Sequence, residues 1–326
     1  MLLQTLAALA PALSLAPADS APVRVFVLAG QSNMQGHGRI EMEQEGDLAD
    51  AAAQEAFAYL RANEQWVERE DVHYIHTTGQ GEVVQSTLRV GLGARADSIG
   101  PELAFGHVLG EHFEEPVLLI KTAWGGQALG HTFRPPSAGL PEQAVLEDLL
   151  TKARRKNPEA TLDEIRTVFG SKYRQMIAEV HAVLDDLGAH VPALAGREAE
   201  LAGFFWHQGW NDGCSREWSA QYETNMVHFI GDVRRDLGVA DLPFVIATSG
   251  MGGPDATGVA GWLAEGIEPK QIAAAEQFER CVAVPTRHFQ RHKPGRQKSH
   301  WHNSAESYCL VGDASARALL EVLSAN

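Results

Sequence analysis

Apolar residues along the chain fall into short dense runs that alternate with longer, spaced stripes. Val23–Leu28 (VRVFVL) is a β-branched run of the kind found in strands covered on both faces. Val117–Lys121 (VLLIK), Leu201–Trp206 (LAGFFW) and Phe244–Ala247 (FVIA) predict further strands, and Val282–Val284 a weaker one. Between the runs, Tyr173, Met176, Ile177, Val180, Val183, Leu184 and Leu187 recur at helical spacing. Pro101 opens a predicted helix over Pro101–Phe113, at a position where its missing N–H costs nothing. Further helices are expected over Ala220–Leu237 and Ser304–Ser324. Strands separated by helices predict right-handed crossovers and a parallel sheet covered on both faces, an α/β fold. Two stretches interrupt the pattern and are expected to be loop insertions. One is near 41–96, rich in Glu and Gln; the other is near 131–170, with Pro135-Pro136 and a basic Lys152–Lys156 patch. No internal repeat or low-complexity linker appears, so residues 19–326 are expected to form a single domain.

The first eighteen residues stand outside that pattern. Leu2–Leu15 is apolar but shorter than the roughly 20 residues a membrane span needs. It ends in Ala16-Pro17-Ala18, a small-x-small pattern, although no Lys or Arg precedes it. The segment is read as an export signal cleaved after Ala18, which implies a secreted or periplasmic protein. No other stretch is long and apolar enough to span a bilayer.

Composition narrows the partners. The 326 residues carry 27 Lys+Arg against 42 Asp+Glu, a net charge of −15, with no basic stripe. That balance argues against nucleic acid or an anionic membrane as partner. Cys214, Cys281 and Cys309 fit no zinc spacing and form no disulfide framework, though one pair could close in an oxidising compartment. Fourteen histidines occur without an H-E-x-x-H or C-x-x-C arrangement, so no metal and no cofactor is expected. His73 and His76 have no partner spacing, and His288 lies in a basic stretch.

The sharpest chemical feature is Gly30-Gln31-Ser32-Asn33-Met34-Gln35-Gly36, directly after the first predicted strand. A serine at a strand end between glycines is well placed as a nucleophile, provided a base and oxyanion donors lie near. Three other polar blocks follow predicted strands or precede the last helix. They are Lys121-Thr122-Ala123-Trp124-Gly125-Gly126, Trp206-His207-Gln208-Gly209-Trp210-Asn211-Asp212 and His300-Trp301-His302-Asn303. A parallel sheet brings such loops to one edge, where together they supply the parts of an acyl-transfer site. Trp124, Trp206 and Trp210 cluster there, either as core packing or as a sugar-stacking platform. Asn303 and Glu306 have the spacing of a helix capping box, which makes Glu306 a cap rather than an acid.

These blocks, with GPELAFG and HWHNSAESYCLVGDA, resemble the SGNH (GDSL-like) hydrolase superfamily, and within it the sialate O-acetylesterase and carbohydrate acetylesterase branch. The resemblance runs in order through residues 23–326. It implies a flavodoxin-like three-layer α/β/α sandwich, and removal of O-acetyl groups from an acetylated carbohydrate through a serine acyl-enzyme, without a metal. By position it makes Ser32 the nucleophile. Its own N–H and those of Gly125 or Gly126 would be oxyanion donors, with Gln208 or Asn211 completing the set. Gln31, Asn33, Trp124 and Trp210 would face the substrate. The family ending D-x-x-H is absent, since Gln297 and Ser299 stand three residues before His300 and His302. The ungapped alignment favours His300 as base over His302, and Asp212 is the carboxylate available for recruitment. Two other readings stay open: a serine esterase or thioesterase for another acyl group, and a carbohydrate-binding protein that has lost catalysis.

Overall fold

The computed structural model describes residues 21–41, 45–291 and 298–325. The predicted export signal and its cleavage point at Ala18 lie outside them, as does Gln297. Among the described residues, seven strands form the main sheet. They are β1 (Val23–Gly30), β2 (Arg69–Thr77), β3 (Val83–Leu88), β4 (Val117–Ala123), β5 (Ala199–His207), β6 (Phe244–Ala247) and β7 (Cys281–Val284). The order across the sheet is β7-β6-β5-β1-β4-β2-β3. All neighbours are parallel except the edge pair β2–β3, which is antiparallel, so the sheet is mixed rather than purely parallel.

Helices cover both faces, because strand residues alternate between them. The five that matter here are α1 (Ser32–Gln35), α2 (Glu102–His112), α3 (Ser171–Asp185), α4 (Tyr222–Asp236) and α5 (Ala305–Ser324). Phe26 of β1 and Phe205 of β5 meet Phe105 of α2, with ring centroids 6.2 and 4.9 Å apart. Phe204 and Trp206 point the other way onto Phe229 of α4, at 6.0 and 4.4 Å. Tyr173 of α3 packs on the same Phe229 at 5.7 Å. Helices α2 and α5 pack closely: a Cβ on Gly312 would stand 2.2 Å from the Pro101 carbonyl oxygen.

Four expectations need correction. The stretch near 41–96 is not all insertion, because it supplies β2 and β3. Arg69, Glu70, Asp71, His73 and His76 hide β2 from a hydrophobic reading, yet Val72–His76 are buried. The His76 ring lies 2.6 Å from the Lys121 carbonyl, which satisfies it inside the sheet. Second, the helical stripe ends at Asp185. Asp186 leaves the helix and caps a separate turn, Leu187–His190, that carries Leu187. Third, the cap of α5 is Ser304, whose hydroxyl accepts from Ser307 N–H at 3.3 Å. Glu306 pairs instead with Arg291 at 2.8 Å. Fourth, no disulfide joins Cys214, Cys281 and Cys309. The stretch near 131–170 carries two helices, Gln143–Arg154 and Leu162–Val168. Among the described residues no helix is long and apolar enough to cross a membrane.

Candidate active site

β1 lies between β4 and β5, with Gly30 in register with Ala123 on one side and His207 on the other. The loops that follow these three strands therefore start side by side at the carboxyl edge, the place where an α/β sheet opens a crevice. The chain turns from β1 into α1 within two residues. Gly30 permits this: its φ is +154°, and a Cβ there would stand 2.2 Å from the His207 carbonyl oxygen. Ser32 is thereby the first residue of α1, 8% exposed. The other end of α1 is held by Lys121, whose buried ammonium donates to the Gln35 carbonyl at 2.7 Å and to Glu102 at 2.9 Å.

His300 Nε2 lies 2.9 Å from Ser32 Oγ, and His302 makes no hydrogen bond with that serine. Of the two histidines, His300 is the one whose ring meets Ser32. The segment that carries it is irregular: Trp301, His302 and Asn303 have φ of +52°, +53° and +66°. Each such non-glycine residue costs on the order of 1 kcal/mol or more, so the surroundings must hold it. Trp301 is fully buried, and its indole N–H points at His207 Nε2 at 3.4 Å. The other His207 nitrogen faces the Ala247 carbonyl at 3.1 Å and must donate to it, which leaves Nε2 as the acceptor. Burial pushes the His207 pKa down to about 4, consistent with a neutral ring. Asn33 donates to the Ser299 carbonyl at 3.0 Å and accepts from the Tyr308 hydroxyl at 3.0 Å. Asn303 donates to the His37 carbonyl at 3.1 Å.

The His300 pKa is lowered, first by burial and then by the Arg95 charge, so the ring is neutral and able to accept a proton. His37 stacks on it, with ring centroids 4.0 Å apart and planes at 3°. Its pKa falls to about 3, chiefly through burial and then through His300, Arg95, Lys121 and Arg39. Sequence reasoning missed His37: one histidine between two glycines has no spacing that announces it.

The remaining predicted residues divide by location. A Cβ on Gly125 would lie 3.9 Å from Ser32 Cβ, so this glycine borders Ser32. Among the described residues, none accepts from the N–H of Ser32 or Gly125. The Gly126 carbonyl accepts from Asn211 Nδ2 at 2.7 Å, and Asn211 Oδ1 accepts from Gln31 at 3.2 Å. Gln31 is buried, and its carbonyl oxygen gathers donors from Gln208, Gly209 and Asn211 at 3.2–3.3 Å. Gln31 and Asn33 are thus both buried, with their amides bonded within the site. Gln208 is 1% exposed, and its amide N–H groups face Gln31, Gln127 and Asp212, leaving none for an oxyanion. Trp124 and Trp206 are core residues, Trp124 bonded through its indole N–H to Thr77; Trp210 is half-buried.

Asp212 is not recruited by the histidine. Its two oxygens accept from the N–H groups of Leu129 and Gly130 at 2.8 Å each, and from Gln208 at 2.5 Å. Burial raises its pKa to about 6 while these three donors pull it back. Its role is to hold the loop that follows Gly125-Gly126. Among the described residues, no group of three or more His, Cys, Asp or Glu side chains could hold a metal.

A buried hydroxyl beside a neutral imidazole, with backbone N–H groups bordering it, is the equipment of acyl transfer on an α/β sheet. The chain belongs to the family described as carbohydrate esterase, sialic acid-specific acetylesterase, whose model matches residues 22–321. It is therefore a carboxylic ester hydrolase of a family that acts on acetylated carbohydrate. Among solved structures, a protein from Arabidopsis thaliana is similar at 17% identity and TM-score 0.53, covering 92% of this chain and 99% of its own. The carbohydrate acetylesterase XAC1771 from Xanthomonas citri is similar at 13% identity and TM-score 0.52, covering 90% of this chain and 57% of its own. Both likenesses concern the fold. No curated protein matches the sequence.

Proposed function

We propose that the protein removes O-acetyl groups from a carbohydrate through an acetyl-enzyme on Ser32. The observation that carries this is the 2.9 Å approach of His300 Nε2 to Ser32 Oγ. Ser32 Oγ attacks the acetyl carbonyl carbon as His300 takes the hydroxyl proton. The carbonyl oxygen becomes an oxyanion, to which the N–H groups of Ser32 and Gly125 would donate. When the ester C–O bond breaks, His300 returns the proton to the leaving sugar oxygen. Water then repeats the sequence on the acetyl-enzyme, giving acetate and free Ser32. Asn211 and Gly126 shape the wall beside the oxyanion, and the half-exposed Trp210 is the aromatic surface available to a sugar. Residues 1–18 support export, which would place this activity on extracellular or periplasmic glycans.

Hydrolysis of p-nitrophenyl acetate is the direct test. Ser32→Ala and His300→Ala should each lower kcat by about 10³-fold or more. His302→Asn, a residue type that tolerates a positive φ, should stay within about threefold of the parent. Equal rates for Ser32→Ala and the parent overturn the serine mechanism. Activity on C8–C12 esters equal to that on acetate would instead favour another acyl group.

A further inference from the structure

We propose that residues 134–174 build a binding site for an oxyanion, the sulfate, phosphate or carboxylate group of a ligand. The site is a cavity of about 300 Å³ that neither Ser32 nor His300 lines. Three arginines line it, Arg134, Arg166 and Arg174, with Leu140 and Phe169 as its apolar wall.

The fold builds this place from both ends of the second insertion. Arg134 follows the loop that Asp212 anchors at Leu129 and Gly130. Its guanidinium donates to the carbonyls of Gly139 at 2.6 Å, Ala138 at 3.3 Å and Gly130 at 3.4 Å, and to Gln221 at 3.2 Å. Arg174, in the first turn of α3, reaches back to the carbonyls of Thr167 and Phe169 at 2.8 Å each. Gly170 lets the two segments close. Its φ is +68°, and a Cβ there would stand 2.8 Å from the Arg134 carbonyl oxygen and 3.1 Å from Arg174 Nη1.

The charges in this cavity are not balanced. Every acceptor of Arg134 and Arg174 is neutral. Arg134 is 7% exposed and a guanidinium keeps its proton, so it is a buried cation with no carboxylate bonded to it. Glu217 favours that charge through space only. Arg166 pairs at 3.1 Å with Asp163, which is solvent-exposed and outside the cavity. Among the described residues no Asp or Glu lines the cavity, in a chain whose net charge is −15. Like charges gathered in a partly dry place repel, and an anion among them removes that cost. Nε of Arg174, and Nε and Nη2 of Arg166, have no partner among the described residues, which leaves planar donors for the oxygens of one ligand group. Helix α3 begins at the cavity with Gly170 as its cap, so the positive end of its dipole adds to the attraction.

Isothermal titration calorimetry on the full chain tests this, with sodium sulfate, sodium phosphate and sodium glucuronate as probes at constant ionic strength. At least one probe should bind saturably, with Kd about 1 mM or tighter. Tighter binding of sulfate or phosphate assigns the site to the free ion, and tighter binding of glucuronate to the carboxylate of an acidic sugar. Arg166→Gln and Arg174→Gln should each weaken binding about three- to tenfold, and the double variant should show no saturation below about 20 mM. Arg134 stays in place because it also holds the turn. Arg155→Gln, which removes an equal charge from an exposed position outside the cavity, should bind as the parent does. No saturable binding of any probe by the parent overturns the proposal. So does parent-like binding by the double variant, or an equal loss in Arg155→Gln.

Discussion

The two halves of the candidate site are built on opposite plans. The proposed nucleophile sits on regular structure: a buried strand, one glycine at an extreme φ, and the first turn of α1. Backbone geometry alone aims Ser32, and Lys121 clamps the far end of the turn. The proposed base, His300, sits just before three successive non-glycine residues at positive φ. Nothing local favours that path, so long-range side-chain bonds hold it: Trp301 to His207, Asn33 to Ser299, and Asn303 to His37. A nucleophile made by secondary structure is stable wherever the sheet is. A base made by tertiary contacts is only as well placed as its weakest latch.

The largest effect should come from removing the deepest latch. Trp301→Ala empties a fully buried site and frees the strained segment, which predicts a loss of about 3–5 kcal/mol in urea unfolding. Activity should fall with it, because the residue immediately before Trp301 is His300. Trp301→Phe separates the two contributions. It keeps most of the volume but leaves His207 Nε2 without a donor, at about 1–3 kcal/mol. A parent-like melting curve for Trp301→Ala would mean that the segment is held locally after all.

The same contrast explains what the sequence reveals. Strands β1, β4, β5 and β6 are legible because both of their faces are apolar, and the glycine and serine of the nucleophile turn follow from them by position. Strand β2 is not legible. Its buried histidines look polar until Lys121 of the neighbouring strand supplies the carbonyl for His76. His300 could be found by resemblance, but its stack with His37 could not, since only the closed fold brings the two rings together. Gln31, Asn33 and Gln208 mislead for a related reason. Amides beside a serine look like substrate contacts or oxyanion donors, and here they are bonded to each other, to Asp212 and to the backbone. Asp212 likewise looks like the missing third member, but its oxygens are taken by Leu129, Gly130 and Gln208.

Asn33 also ties the two plans together, through Ser299 and Tyr308, which makes it the next place to break them. Asn33→Ala leaves the Ser299 carbonyl and the Tyr308 hydroxyl without their partner. The base should drift relative to the serine, lowering kcat by about 10–100-fold. KM should hardly move. A substrate contact would behave the other way, raising KM at nearly constant kcat, so steady-state kinetics on p-nitrophenyl acetate separate the two roles. An Asn33→Ala enzyme with parent-like kcat would show that the segment carrying His300 needs no tie to the nucleophile turn.

The smallest effect tests electrostatics rather than contacts. The proposed base, His300, can accept a proton only when neutral, and its pKa is held below the usual 6.5 by burial and by Arg95. The acid side of the kcat/KM profile should therefore be half-maximal below pH 6.5, with activity lost as pH falls through the His300 pKa. Removing the Arg95 charge makes protonation easier, so Arg95→Gln should move this limb to higher pH, by roughly a few tenths of a unit because the arginine is solvent-exposed. Asp97 partly neutralises Arg95 and Arg39, so Asp97→Asn should move the limb the other way. Both shifts should shrink in about 0.5 M salt, where charges more than a few ångströms apart are screened. A limb that ignores Arg95 would leave burial of the His300 ring, rather than the charge around it, as the cause of the lowered pKa.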